Sequence, residues 1–415
     1  MAVMQDKSDK SAAAISGPDT VLRFPDVNVQ VALHNASPVA EALGTILSDW
    51  VPEQDISLDP ETRHASVIGM TGLYAARSSY LDETIHGLGV AGAACAVIAD
   101  LAEDYFSIRP GWLALHCAAF RFNDRLIAMT GPSRAGKSTL AARMTLEDDV
   151  LVFCDDVLPL STDGNAVGLG IAPRLRLPLP KTCTQAFREH VARHSGPHDD
   201  RYVYLCAPTV APHGTSAPLS VLLILDRRDA APAHLHAVAE DEALHFLLTQ
   251  NMSDLQTPEA AFARLTDLLA GMTCLRLVYS DLEEAVALIL NAFGSAAPVA
   301  ADVEIGPVSQ PMTADLLPAA NMSADLCWSR NPDVVIQTKG DSAFLWLPGK
   351  TMIWHMNTLA RAVWGLLEIP GTARDIGQLL AEQFPHTGEA VLIRDVTSLL
   401  QALSADGLVE QQISE

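Results

Sequence analysis

At 415 residues the chain is long enough for two to three domains of about 150 residues, each with its own core, which excludes a peptide hormone, a lone small module or a fibre. Its 49% hydrophobic and 19% charged residues are those of a folded globular protein. Fifty acidic residues against 27 basic ones give a net charge of −23, which repels nucleic-acid phosphates and anionic lipid heads, and no basic stripe offsets it; partners of either kind are not expected.

The first 20 residues mix Asp, Lys and Ser with Ala and read as a frayed tail, without the apolar core of a secretory signal. No apolar run reaches membrane-spanning length, and the seven cysteines form no C-x-x-C pair. The expected location is therefore a reducing cytoplasm, with the cysteines acting as small buried residues.

From Val21 onward, Val27–Leu33 and Ala65–Met70 read as strands, followed by a Gly/Ala-rich helical stretch over 87–102. That stretch contains G-x-G-x-x-G, but no buried strand precedes it, so it reads as a helix packed closely on a sheet and not as a dinucleotide fingerprint. Leu113–Phe120 and Leu126–Thr130 read as a hairpin around Asn123-Asp124, Thr139–Met144 as a helix, and Val150–Cys154 as a buried strand. Strand, loop, helix and strand in succession make an α/β core. Pro173–Pro180 reads as a loop, Leu219–Leu225 as a strand, and Asp241–Leu248, Thr257–Leu269 and Asp281–Phe293 as helices. His190, His194 and His198 have helical spacing, but Gly196-Pro197 interrupts it, and they read as surface polar residues. The expected division is a tail at 1–20, a large α/β unit at 21–293, a Pro/Ala/Ser-rich linker at 294–325 and a small α+β unit at 326–412. In the last, three short strands feed three helices.

The chemistry concentrates at Gly131-Pro132-Ser133-Arg134-Ala135-Gly136-Lys137-Ser138-Thr139, which fits G-x-x-x-x-G-K-[ST]. Glycines let backbone amides curl around phosphate oxygens, Lys137 neutralises charge, and Ser138 offers a hydroxyl to magnesium. Arg134 stands where glycine is common; it either reaches a phosphate or lies on the surface. Downstream, Asp155 and Asp156 end an apolar strand, where ligands of open α/β sheets bind. One carboxylate there can hold magnesium while the other takes a proton from an incoming hydroxyl; the alternative is a solvated turn. His116, taken alone, reads as a hydrogen-bonded core histidine. Arg174 and Arg176 either supply charge to a phosphoryl-transfer transition state or form structural salt bridges.

Leu115-His116, the loop 131–139 and Cys154-Asp155-Asp156-Val157 resemble the catalytic core of the HPr serine kinase/phosphorylase family. The resemblance implies a P-loop core related to phosphoenolpyruvate carboxykinase, Mg2+ and ATP as cofactors, and phosphoryl transfer to a peptide hydroxyl. It would make Asp155 the general base beside His116, and Asp156 with Ser138 the magnesium ligands. The family's downstream acidic signature is only echoed by Gly168-Leu169-Gly170-Ile171. The segment with Asn331-Pro332-Asp333, Phe344-Leu345-Trp346, His355-Met356-Asn357 and Trp364 resembles PqqD-type domains, which bind leaders of ribosomally made precursor peptides. A sheet so short leaves a free edge to which a peptide can add as a strand, and Thr351–His355 with the helix near Val391–Leu403 is the expected groove; the alternative is a domain that only mediates oligomerisation. The combined expectation is a kinase that phosphorylates a Ser or Thr of a precursor peptide, and a homo-oligomer is compatible with it. The alternatives are a nucleotide-gated peptide-binding protein and a small-molecule kinase.

Overall fold

A computed structural model of the chain describes residues 18–253, 257–308 and 321–412. Most of the tail expected at 1–20, and the centre of the linker expected at 294–325, lie outside them. Contacts divide the chain into two units: one of residues up to Trp112 with Ala141–Asp155 and Val167–Ser216, the other of Leu113–Leu140, Asp156–Ala166 and everything from Ala217 on.

In the first unit a six-stranded sheet runs in the order Glu53–Asp55, Thr20–Arg23, Gln30–His34, His64–Met70, Leu73–Arg77, Thr84–Leu88. Val31, Leu33, Val67 and Ala76 alternate onto one buried face, as the two-residue strand period requires. Helices Ser37–Ile46 and Val90–Ser107 contact each other, and the longer packs on strands of this sheet. Ala91, Ala93 and Ala94 are buried in it, small enough for close approach.

The expected loop at 173–180 contains the strand Arg174–Arg176, paired antiparallel with Tyr202–Leu205. An Arg-Leu-Arg alternation that buries Leu175 is enough to make one. His190 is buried, not on the surface: on the amphipathic helix Gln185–Arg193 it faces inward with Phe187 and Val191, and its Nε2 lies 2.9 Å from the Thr145 hydroxyl.

The second unit's strands include three parallel neighbours, with Ser216–Arg227 between Arg125–Thr130 and Thr273–Tyr279. Leu126–Met129 and Val221–Leu225 are buried throughout, as expected of a parallel sheet covered on both faces. The expected hairpin forms from Ala118–Phe122 and Arg125–Thr130, turning on Asn123 and Asp124, both at positive φ (48° and 59°) as a type I′ turn demands. Leu113–His116 is not part of that hairpin. The run breaks at Cys117, and its first half pairs antiparallel with Val157–Leu160, bringing His116 opposite Val157. Helices Glu240–Gln250, Pro258–Leu269 and Leu282–Phe293 follow, the last two capped by Thr257 and Asp281 side chains that accept first-turn amides.

The last segment of this unit has a meander of Val335–Lys339, Ser342–Trp346 and Trp354–Met356, then helices Thr358–Leu366, Ala373–Gln383 and Glu389–Ala405. A second small sheet of Gly371–Thr372, Cys327–Arg330 and Val409–Gln411 joins its two ends. The strand Ser342–Trp346 is buried on both faces. Ala343 and Leu345 enter a core with Trp328, Trp364 and Leu400, whereas Phe344 and Trp346 pack on Phe262, with ring centroids 5.3 and 5.8 Å away. Trp346 Nε1 donates to Glu259 at 2.5 Å, the Ser342 hydroxyl donates to Asp241 at 2.7 Å, and Lys339 pairs with Glu240. All seven cysteines are free, and no helix of the described residues is long and apolar enough to cross a membrane.

Two outcomes follow from this packing. Phe344→Ala removes an aromatic that fills a closed interface, and urea unfolding should show a loss of about 3–5 kcal/mol. His355 is stacked on His245, with centroids 4.2 Å apart, and burial, assisted by that neighbour, lowers its pKa from 6.5 to about 4. Above pH 6.5 folded and unfolded chains both hold it neutral; between 6.5 and about 4 only the unfolded chain takes up the proton. Stability should therefore fall as pH drops through that window, and His355→Gln should flatten the slope in denaturation series at several pH values.

Candidate functional site

The loop 131–139 leaves the C-terminal end of Arg125–Thr130 and runs into the helix Lys137–Met144, so first-turn amides that have no helical partner of their own face the loop. Its curvature depends on left-handed backbone. Gly131 has φ +146° and Gly136 +101°. A Cβ at Gly131 would stand 2.7 Å from the Leu225 carbonyl oxygen of the adjacent parallel strand, and one at Gly136 would run into the Tyr279 hydroxyl. Tyr279 ends the next parallel strand and donates from that hydroxyl to the Ala135 carbonyl at 2.6 Å, locking the loop from beneath; burial pushes its pKa up to about 12. Sequence reasoning did not single out Tyr279. The only local signal was an aromatic closing an apolar run just before the helix cap Asp281.

Arg134 also has positive φ (+67°) and is exposed, so this loop position is strained for want of glycine. Ser133 is exposed too, while Ala135 is buried. Lys137 Nζ donates to the Gly131 carbonyl at 3.2 Å. Burial lowers its pKa, and Cys117 and Asp156 act in the opposite direction. Ser138 and Thr139 are half-buried on the first turn of the helix.

His116 and Asp156 come together because their strands pair. His116 Nε2 lies 3.2 Å from Asp156 Oδ1, with side chains 42% and 73% exposed. The carboxylate beside His116 is thus Asp156, whereas the resemblance placed Asp155 there. Successive residues at a strand end face opposite ways, and only Asp156 follows the turn onto the strand that partners His116. The unit holding the loop therefore combines a left-handed phosphate-type loop, a lysine, a hydroxyl, and an exposed carboxylate with its histidine. Among the described residues no group of three or more His, Cys, Asp or Glu could hold a metal.

Asp155 is buried in the first unit, where its Oδ2 accepts the Arg174 backbone N–H at 3.0 Å. The Arg174 side chain donates to the Cys95 sulfur and lies over the Tyr202 ring, 4.6 Å from its centroid; Arg176 lies 5.8 Å from the same ring. Tyr204 completes this cluster, and burial raises the pKa of its phenol. Gly170, in the glycine-rich echo downstream, has φ +76° and packs on the backbone of Ser48 and His213, where a Cβ would collide.

In the C-terminal segment a cavity of about 320 Å3 adjoins Thr351, Ile353 and His355. Its other wall is Glu240–Gln250 and the start of Pro258–Leu269, so it is a different place from the groove expected between Thr351–His355 and the helix near Val391–Leu403. Helix Glu389–Ala405 packs on the other face of the same strands, where Leu392, Val396 and Leu400 share a core with Ala343, Leu345 and Met356. Residues 344–409 match the family model described as Coenzyme PQQ synthesis protein D (PqqD). No match was found among curated proteins.

The loop's dependence on Tyr279 and on strain at Arg134 can be measured. Tyr279→Phe should lower stability by about 1 kcal/mol through the orphaned Ala135 carbonyl. Arg134→Gly should raise stability by about 1 kcal/mol; urea unfolding of both variants checks this.

Proposed function

We propose that the protein is an ATP-dependent kinase that phosphorylates a Ser or Thr hydroxyl of a ribosomally made precursor peptide, with its PqqD-like domain at 344–409 holding the peptide's leader. The observation that supports it most is the loop 131–139, held in left-handed backbone at Gly131 and Gly136, where the Leu225 carbonyl and the Tyr279 hydroxyl leave no room for a Cβ, beside Lys137 and the Asp156–His116 pair. This donor set suits a nucleotide triphosphate with magnesium: backbone amides and an ammonium for the phosphates, and the Ser138 hydroxyl for the metal, which takes most of its ligands from water and phosphate oxygens in such sites.

Mg-ATP supplies the transferable phosphoryl group and the cation that neutralises its charge. The chain's residues orient and move protons. Loop amides and Lys137 fix the phosphates by direct donation. Asp156, exposed and held at one oxygen by His116, accepts the proton of the incoming peptide hydroxyl at its carboxylate as that oxygen becomes a nucleophile. His116 positions that carboxylate. Asp155, Arg174 and Arg176 serve the packing of the first unit around Cys95 and Tyr202.

Peptide capture is supported by the family match and by the edge strand Trp354–Met356, which pairs on one side only among the described residues. Such an edge can accept a further strand through backbone hydrogen bonds. Capture there raises the local concentration of the acceptor hydroxyl to roughly millimolar, which favours transfer from a weakly binding acceptor site.

Intact mass measurement of a precursor peptide encoded beside the gene, after incubation with Mg-ATP, tests the reading. A gain of one phosphate is expected, absent with Lys137→Ala. Asp156→Asn should bind ATP normally yet lose roughly 10²-fold or more in kcat, while Asp155→Asn should lose stability first. Transfer unchanged in Asp156→Asn, or nucleotide binding with no phosphate on the peptide, would overturn the proposal.

A further inference from the structure

The cavity of about 320 Å3 beside the edge strand lies at the low end of pockets that bury small ligands, roughly 300–1,000 Å3. It is built by two parts of the chain far apart in sequence. His245, Asn251 and Thr257 come from the helical region after the parallel strands, and Ile353 and His355 from the C-terminal segment. Exposed Thr249 and Thr351 also line it, on opposite walls.

Its chemistry is specific in one respect. Among the described residues that line it there is no Lys, Arg, Asp or Glu. The two imidazoles do not change this, because burial lowers the pKa of both and keeps them neutral at pH 7. His355 is further fixed by its neighbours. The Ser342 hydroxyl gives its proton to Asp241 at 2.7 Å, so its oxygen accepts from His355 Nε2–H at 2.9 Å, and Nδ1 is left as a hydrogen-bond acceptor. The walls therefore offer hydroxyls, an amide, imidazole acceptors and apolar surface, together with a strand edge. They suit peptide backbone and uncharged side chains, and the described lining residues set no counter-charge against an ionised one.

The cavity is also tied to the proton-accepting pair. Asn251 forms a β-bridge with Leu115, and the Met252 N–H donates to the Ala114 carbonyl at 2.8 Å, so this wall is joined to the strand that ends in His116.

We propose that this cavity is a composite recognition site that takes an uncharged, extended segment of the precursor peptide, so that the ATP-binding part and the PqqD-like domain read one peptide together. The inference rests on the peptide reading above and adds that specificity comes from Thr249, Asn251 and Thr257 as well as from the strand edge.

A displayed library of short random peptides, selected on the immobilised full-length protein, tests it, followed by fluorescence anisotropy of single labelled peptides. Enriched peptides should share a run of uncharged residues. Binding should weaken roughly tenfold or more when Asp or Lys enters that run, and equally in Thr249→Trp, which fills the cavity from an exposed helix position, and in Thr249→Glu, which charges its wall. Lys181→Ala, at an exposed position of the first unit and checked for folding alongside the others, should bind like the parent. If Ile353→Pro alone abolishes binding while both Thr249 variants bind normally, the edge is the whole site; the composite site is then refuted and the peptide reading survives. If no peptide is enriched, or no variant changes binding, both are refuted.

Discussion

A loop that wraps its own amides around an anion needs backbone in the left-handed region, held there by something stiff. In this protein the stiffness comes from the ends of three parallel strands. Arg125–Thr130 delivers Gly131, Ser216–Arg227 sets its Leu225 carbonyl against the position a Cβ would take, and Thr273–Tyr279 ends in the hydroxyl that clamps Ala135 and closes over Gly136. Side chains are excluded at both glycines because backbone or buried phenol already occupies the space. Lys137 and Ser138 are then positioned by the helix the loop begins.

The carboxylate arrangement follows from strand pairing. Leu113–His116 separates from the hairpin at Cys117 and joins Val157–Leu160, and that register alone sets His116 against Asp156. One residue earlier the chain belongs to the first unit, where Asp155 holds the backbone of Arg174. Two identical side chains thus have different surroundings, one buried and hydrogen-bonded by main chain, the other exposed beside an imidazole.

In the C-terminal segment, strand Ser342–Trp346 works through both of its faces. Its odd positions close a core of its own, and its even positions, Phe344 and Trp346, rest on Phe262. The same docking stacks His355 on His245 and leaves, beside the strand Trp354–Met356, a cavity whose described lining residues include no Lys, Arg, Asp or Glu. The PqqD-like segment is in this way fitted onto the helices Glu240–Gln250 and Pro258–Leu269, which line the cavity together with it.

Much of this was legible in local sequence. The glycine-bounded loop 131–139, the apolar runs at 126–130 and 219–225, the helices that begin at Thr257 and Asp281, and the strand–helix order after residue 326 are written in spacings of a few residues, and hydrophobic period and turn chemistry act over that range. What spacing could not supply was choice of partner. Nothing within ten residues of His116 says whether Asp155 or Asp156 will meet it. Nor does anything near Tyr279 point to a carbonyl 144 residues away, or anything near Phe344 point to Phe262. The short Arg-Leu-Arg strand and the inward turn of His190 likewise depended on Tyr202–Leu205 and Thr145. The sequence by itself determined the elements and the reactive groups they present, because those follow from each residue's own backbone and polarity. Tertiary structure alone decided which groups meet, because burial and strand register are properties of surfaces brought together from distant parts of the chain.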